Sequence, residues 1–146
     1  MQAGTRRTLE FDRIIVAVGR LTQTGLGREA IAQVVPRPDP AAVGTRLRQT
    51  SEMRRHIALG GSIALSAPED ISQIRTALGA PGQALEPLEL RALADLLANL
   101  ETSAAGIRHL AGELPLLTGL ISGLAPFREE IAAVRKAIDQ NGDVLD

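Results

Sequence analysis

Residues 86–111, EPLELRALADLLANLETSAAGIRHLA, decide the fold class. Glu86 and Pro87 open a segment in which Leu90, Leu93, Leu97, Leu100, Ala104, Ile107 and Leu110 or Ala111 return every three or four positions, which places them on one face of a helix. At 1.5 Å per residue such a helix is roughly 35 Å long and crosses a small domain from side to side. It is the expected spine, with Gly106 as the position where it would bend or split.

Working outward, the same period covers nearly the whole chain. Leu9, Ile14, Val18 and Leu21, widened by Phe11 and Ile15 and preceded by Thr8 as N-cap, predict a helix over about 9–22. Ala30, Ile31 and Val34 predict a short second helix ending before Pro36. In PRPDP at 36–40, Asp39 is an N-cap and Pro40 a first helical residue. The third helix that starts there has Val43, Leu47, Thr50 or Ser51, Met53 and Ile57 as its inward stripe, and Arg46, Arg48, Arg54 and Arg55 on its other face. Gly60 and Gly61 end it. Ser66 and Glu69 fit a capping box ahead of a short helix marked by Ile71, Ile74 and Leu78, and GAPGQ at 79–83 is a loop. Beyond the spine, Leu114 to Leu124 is apolar on most sides and is expected to be buried, with Gly119 and Gly123 allowing close helix contact. Pro126 restarts a last helix with Phe127, Ile131, Val134 and Ile138 inward, Asn141 and Gly142 stop it, and residues 143–146 have no element to complete. Only Arg13–Val18 is locally strand-like, and its helical spacing wins. The expectation is an all-α, compact bundle of about six to seven helices around one long central helix, residues 1–146 forming a single domain.

Composition restricts function. Two Phe, no Trp and no Tyr leave a 45% apolar fraction made almost entirely of Ala, Leu, Ile and Val, which argues against base-stacking platforms and aromatic interface anchors. Sixteen basic and seventeen acidic residues give a net charge of −1, so no global field draws the chain to polyanions. The charge is unevenly spread: residues 1–75 carry a surplus of four positive charges and residues 76–146 a deficit of five. Either one half meets polyanions or the halves neutralise each other. Fifteen of the sixteen basic residues are Arg, a bias typical of a GC-rich genome. The absence of Cys removes disulfides, thiolate nucleophiles and Cys-ligated zinc. MQAGTRRTLEFDR lacks the apolar core of a secretory signal, and Leu114–Phe127 is too short and too rich in proline to span a bilayer, so a cytoplasmic protein without membrane contact is expected.

Chemistry-bearing patterns are sparse. His56 and His109 stand alone and read as solvent-facing helix residues, and Glu129 and Glu130 point about 100° apart, too far to share a proton. Lys136 is followed by Ala137, so no Walker A motif exists, and the glycines at 60–61 and 79–82 read as loop punctuation. No catalytic, cofactor-binding or metal-binding residue is assigned. One charged feature is left: four Arg at positions 46–55, opposed there by Glu52 alone. If exposed, they would hold phosphates by position without reading sequence; otherwise they form a solvated face paired with acids from 86–101.

TLEFDRI at 8–14, LGRE at 26–29, L-x-x-T-x-E at 47–52, DI-x-x-IR-x-AL at 70–78, G-x-x-L-x-P-x-EL at 82–90 and ID-x-x-G-D-VLD at 138–146, in this order, resemble the N-terminal segment of the MutS-two proteins. These are bacterial MutS paralogues that lack the mismatch-reading domain and often carry a C-terminal Smr nuclease domain. The turn before DI-x-x-IR departs from the family's Pro-x-Gly-Gly-like pattern, because Gly60 and Gly61 lie further upstream. The resemblance implies the first part of a helical core leading to clamp helices, in a homodimer that embraces branched DNA or a ribosome and is driven by an ATPase using ATP and Mg. It implies roles in recombination suppression, DNA repair or ribosome rescue. No clamp, ATPase or nuclease residue is in this chain, so the expectation is a non-enzymatic scaffold segment whose partner is the rest of a longer protein. The alternatives are a stand-alone module that grips nucleic acid through Arg46, Arg48, Arg54 and Arg55, or an adaptor that binds a partner helix along an exposed Leu stripe.

Overall fold

The computed structural model describes residues 10–63, 65–68 and 70–145. Among them run seven helices: α1 (Phe11–Gly19), α2 (Gly25–Ala32), α3 (Pro40–Ala58), α4 (Ile71–Leu78), α5 (Pro87–His109), α6 (Pro115–Ile121) and α7 (Arg128–Ala137). The fold is all-α, and its only β pairing among these residues is an isolated antiparallel bridge between Ile138 and Val144.

α5 is the axis. Pro87 occupies its first turn and the Glu89 carboxylate accepts from the Glu86 amide at 2.9 Å, closing the helix start. Every residue from Arg91 to Leu100 is at least partly buried, because α5 is covered on several sides. Its first half packs Leu93, Leu96 and Leu100 against Ile71 and Ile74 of α4, and Leu26 of α2 joins from behind. Its second half packs Ile107 and Leu110 against Leu114 and Leu117 around α6, with Met53 of α3 and Ile63 closing the cluster. Each fully buried aliphatic side chain contributes roughly 1.5–3 kcal/mol. Ile131 and Ile138 are buried along α7, as their spacing predicts. α1 packs mainly on α2.

A charged clasp holds α7 to α5. Arg135 donates to Asp95 at 2.6 and 3.1 Å, and Arg91 bonds both Asp95 at 3.3 Å and the Ile138 carbonyl at 2.7 Å. Partial burial pushes the Asp95 carboxyl up, but the hydrogen bond and charge of Arg135, followed by those of Arg91, outweigh it and hold it below its ordinary value. Beyond α7 the chain is ordered by a tight turn rather than left without an element. Asp139 accepts from the amides of Asn141 at 2.8 Å and Asp143 at 2.9 Å, and Leu145 returns an amide to the Ala137 carbonyl at 2.8 Å. The Asp143 amide is the chief reason the Asp139 carboxyl is also lowered. Gly142, at φ 88°, brings its backbone against Leu88, where a Cβ would overlap the leucine.

Several sequence expectations change. Thr8, Leu9 and Glu69 lie outside the described residues. α1 is shorter than 9–22 and turns Phe11, Ile15 and Gly19 inward, leaving Ile14, Val18 and Leu21 exposed. α3 is rotated relative to its predicted stripe: Val43, Leu47 and Ile57 face solvent while Glu52, Met53 and His56 face the domain. In 114–124 only Leu114 and Leu117 are buried, Leu120 is exposed, and a Cβ on Gly119 or Gly123 would meet nothing within 4 Å.

The largest departure is His56, which is 1% exposed, with no hydrogen-bond partner for either ring nitrogen among the described residues. An orphaned buried polar group costs about 1–3 kcal/mol, which the surrounding packing must offset. The ring lies against Gly61 on one side and Gly106 of α5 on the other. Gly106 does not split α5, which runs unbroken through it.

Two glycines beside one ring should therefore behave oppositely. A Cβ at Gly61 would run into the imidazole, whereas at Gly106 it would rest 3.6 Å from Cε1, ordinary contact. Urea unfolding should show Gly61→Ala losing about 1–3 kcal/mol and Gly106→Ala gaining up to about 1 kcal/mol; equal effects would contradict this placement. The lowered Asp95 and Asp139 carboxyls contribute stability that is complete above the ordinary carboxylate range and is lost as pH falls through their lowered values. The urea midpoint should drop below about pH 4, and Asp95→Asn should flatten that drop.

Candidate nucleic-acid interface

α3 carries the four arginines singled out in the sequence. Its start is set locally, by Asp39 accepting from the Ala41 amide at 2.9 Å and by Pro40 in the first turn. Its orientation is set from the other end of the chain. The Glu52 carboxylate accepts from the amides of Leu116 at 3.2 Å and Leu117 at 2.9 Å, capping the N-terminus of α6. With His56 inserted behind Gly61, this cap turns the polar side of α3 inward.

All four arginines are exposed, but they do not form one face. At 100° per residue, Arg48 and Arg55 lie within about 20° of each other, while Arg46 and Arg54 lie roughly 80° apart on the opposite flank. Arg55 pairs with Glu113, its Nε donating at 2.9 Å and its Nη2 directed to the same oxygen. Arg48 donates to the Thr45 hydroxyl at 3.1 Å. No hydrogen bond or ion pair engages the Arg46 and Arg54 side chains among the described residues. They share their flank with Val43, Leu47 and Ile57, 38%, 63% and 59% exposed.

The acids of 86–101 do not neutralise this helix. Glu89 closes α5, Asp95 holds Arg91 and Arg135, and Glu101 accepts from the Phe127 amide at 2.7 Å and faces Arg128 at 3.9 Å. Glu52, the one opposing charge within 46–55, serves α6 instead. The outward flank of α3 is thus both apolar and basic, able to pack against protein through its aliphatic row and to meet anions through Arg46 and Arg54. The sequence reading missed Glu52 and His56 as the residues that orient α3, because their partners lie far along the chain. His109 is exposed, and Gly60 and Gly82 adopt φ of 85° and 81° in turns. Among the described residues no three His, Asp or Glu side chains are grouped to hold a metal ion.

The chain is similar over its whole length to proteins named Endonuclease MutS2. It is 34% identical over 147 aligned residues to that of Symbiobacterium thermophilum, covering 100% of this chain and 18% of the relative. It is 33% identical over 156 residues to that of Geobacillus thermodenitrificans and 30% over 148 to that of Geobacillus kaustophilus, covering 100% of this chain and 19% of each. The chain spans about a fifth of the length of these curated relatives. No protein-family model matches it, and no solved structure does.

Glu52→Ala should lose about 1–2 kcal/mol in urea unfolding, since two helix-start amides are left without an acceptor. Arg46→Ala combined with Arg54→Ala should stay within about 0.5 kcal/mol of the parent. A larger loss from the arginines than from Glu52 would contradict this division of roles.

Proposed function

As a chain related along its whole length to one segment of the MutS-two proteins, this protein is, we propose, a non-catalytic helical core segment of a MutS-two-like ATPase, acting as the scaffold between DNA clamp and motor. The observation that carries the reading is how much of its apolar surface is left uncovered. Sixteen large aliphatic residues are exposed among the described residues, and several share one helix flank rather than lying scattered singly. The exposed ones recur on α1, on the outward flank of α3 and around α6, as expected if further helices of a longer polypeptide cover them.

The parent's work would be recombination suppression, DNA repair or ribosome rescue, on branched DNA or a ribosome and as a homodimer, in the cytoplasm. ATP and Mg belong to that parent. The lone Lys136 is followed by Ala137, outside any Walker A pattern. No helix among the described residues is long and apolar enough to cross a membrane.

A second reading, direct contact with nucleic acid, is favoured by Arg46 and Arg54, which lack partners among the described residues and stand about 12 Å apart along α3. The aliphatic residues on the same flank favour a protein neighbour, so the scaffold reading stands first.

The reading frame beyond Asp146 should encode clamp helices and then a Walker A motif, and a stop codon there would overturn the scaffold reading. ATP hydrolysis by the purified chain above a no-protein control would overturn its non-catalytic part. For the second reading, replacing Arg46, Arg48, Arg54 and Arg55 together should weaken branched-DNA binding and reduce the log–log salt slope by about 0.9 for each phosphate that the variant no longer neutralises; an unchanged slope removes it.

A further inference from the structure

A groove of about 360 Å³ runs between α5 and residues 124–128, away from the arginines of α3. Leu97, Leu100, Ala104 and Ala105 form its floor, and Leu124 and Phe127 its opposite wall. Leu97, Leu100, Ala104 and Arg108 of its lining recur at three- and four-residue intervals, so the groove follows the axis of α5 for about 16 Å, some three helical turns. Ala104 and Ala105 lie at its middle, where small side chains let another backbone approach closely. Phe127, one of only two aromatic residues in the chain, is left half-buried in the wall.

The rim is basic. Arg108 makes no side-chain hydrogen bond or ion pair among the described residues, and Arg128 is 88% exposed with only a 3.9 Å approach to Glu101. Glu101 is itself engaged by the Phe127 amide at 2.7 Å. Arg108 and Arg128 thus leave two exposed guanidiniums on a lining whose one carboxylate, Glu101, is already engaged. The floor lies inside α5, whose backbone groups are bonded within the helix, so an occupant lying along it must satisfy its own backbone, as a helix does. Its contacting face must be aliphatic, and its flanks should carry carboxylates for Arg108 and Arg128.

We propose that this groove is the docking site of an acidic amphipathic helix supplied by the part of the parent polypeptide outside these 146 residues. The source rests on the core-segment reading above, in which the curated relatives carry more than four fifths of their length beyond the matched region. The groove and its charge requirement rest on the structure alone. Aliphatic side chains at i, i+4 and i+7 of the helix fill the floor beside Ala104 and Ala105, and its flanking carboxylates bond Arg108 and Arg128.

Two measurements test chemistry and source separately. A fluorescein-labelled peptide of roughly 15 residues, with Leu at i, i+4 and i+7 and Glu on the flanks, is titrated against the chain beside a twin carrying Lys in place of Glu. The Glu peptide should bind saturably and at least about tenfold tighter than its twin, and the Arg108→Glu/Arg128→Glu variant, folded by circular dichroism, should reverse the preference. Ala105→Glu, at an exposed floor position, should weaken both. No binding, equal binding of the twins, or indifference to the charge reversal overturns the proposal. For the source, Ala105→Cys places a single thiol in a chain without cysteine. Its maleimide labelling, followed by peptide mass spectrometry, should be at least about tenfold slower in the full parent polypeptide than in residues 1–146, and faster again in the parent when Arg108→Glu/Arg128→Glu is added. Equal rates in the two polypeptides overturn the proposed occupant. A parent that ends at Asp146 would instead overturn the core-segment reading, an outcome independent of the peptide titration.

Discussion

α6 and α7 begin at Leu114 and Phe127, whose side chains cannot accept a hydrogen bond from a helix's first amides. Each takes its acceptor from a helix elsewhere in the chain: Glu52 of α3 serves Leu116 and Leu117, and Glu101 of α5 serves Phe127. A helix start is a local requirement, and here it is met by tertiary contact. The consequence is long-range order in a chain with few bulky side chains. Leu, Ile and Ala pack without strong orientational preference, so they leave the roll of a helix about its own axis weakly determined. Two carboxylates aimed at backbone amides remove that freedom, Glu52 for α3 against α6 and Glu101 for α7 against α5. Asp95, clasped by Arg91 and Arg135, fixes α7 a second time.

The same constraint explains why α3 faces the way it does. With Glu52 capping α6, residues one turn on and on the same side must also point inward, and His56 is among them. Its orphaned nitrogens are a cost imposed by that geometry, and Gly61 is the accommodation, leaving room for a ring that a Cβ would exclude. Val43, Leu47 and Ile57 are thereby turned outward. A helix with its polar side buried and its aliphatic side in water is unfavourable for an isolated domain. It makes sense for a helix with a second neighbour.

How much of this could be read in advance depends on the range of each interaction. α5 was legible because its period persists over 23 residues and leaves no competing reading. The start of α3 was legible because Asp39 and Pro40 act within two residues of the amide they serve. The roll of α3 was not, since the partners of Glu52 lie 64 and 65 positions away and nothing near Glu52 announces them. Aliphatic residues at helical spacing show that a face will be covered, without saying by what. The spacing of Val43, Leu47 and Ile57 therefore predicts an inward stripe, whereas all three face solvent. The Asp139 turn is closed locally, by its carboxylate accepting from the Asn141 and Asp143 amides, and Asn141–Gly142 alone mark a stop without showing that the chain folds back to pair Val144 with Ile138.

The uneven charge of the two halves now has a structural meaning. Among the described ion pairs, Arg55–Glu113 alone joins the basic first half to the acidic second half. Within the second half Glu89, Asp95, Glu101 and Asp139 are occupied by helix-start amides, by Arg91, Arg128 and Arg135, and by the Asp139 turn, while Glu129, Glu130 and Asp143 stay exposed without a side-chain partner among the described residues. The positive surplus of the first half is therefore left on its surface, with Arg46 and Arg54 beside the aliphatic row of α3. Glu129 and Glu130 sit on α7, and no ion pair among the described residues carries either across to α3. A neighbour packed on this flank of α3 would have to be apolar where it met Val43, Leu47 and Ile57, and acidic or phosphate-bearing where it met the two arginines.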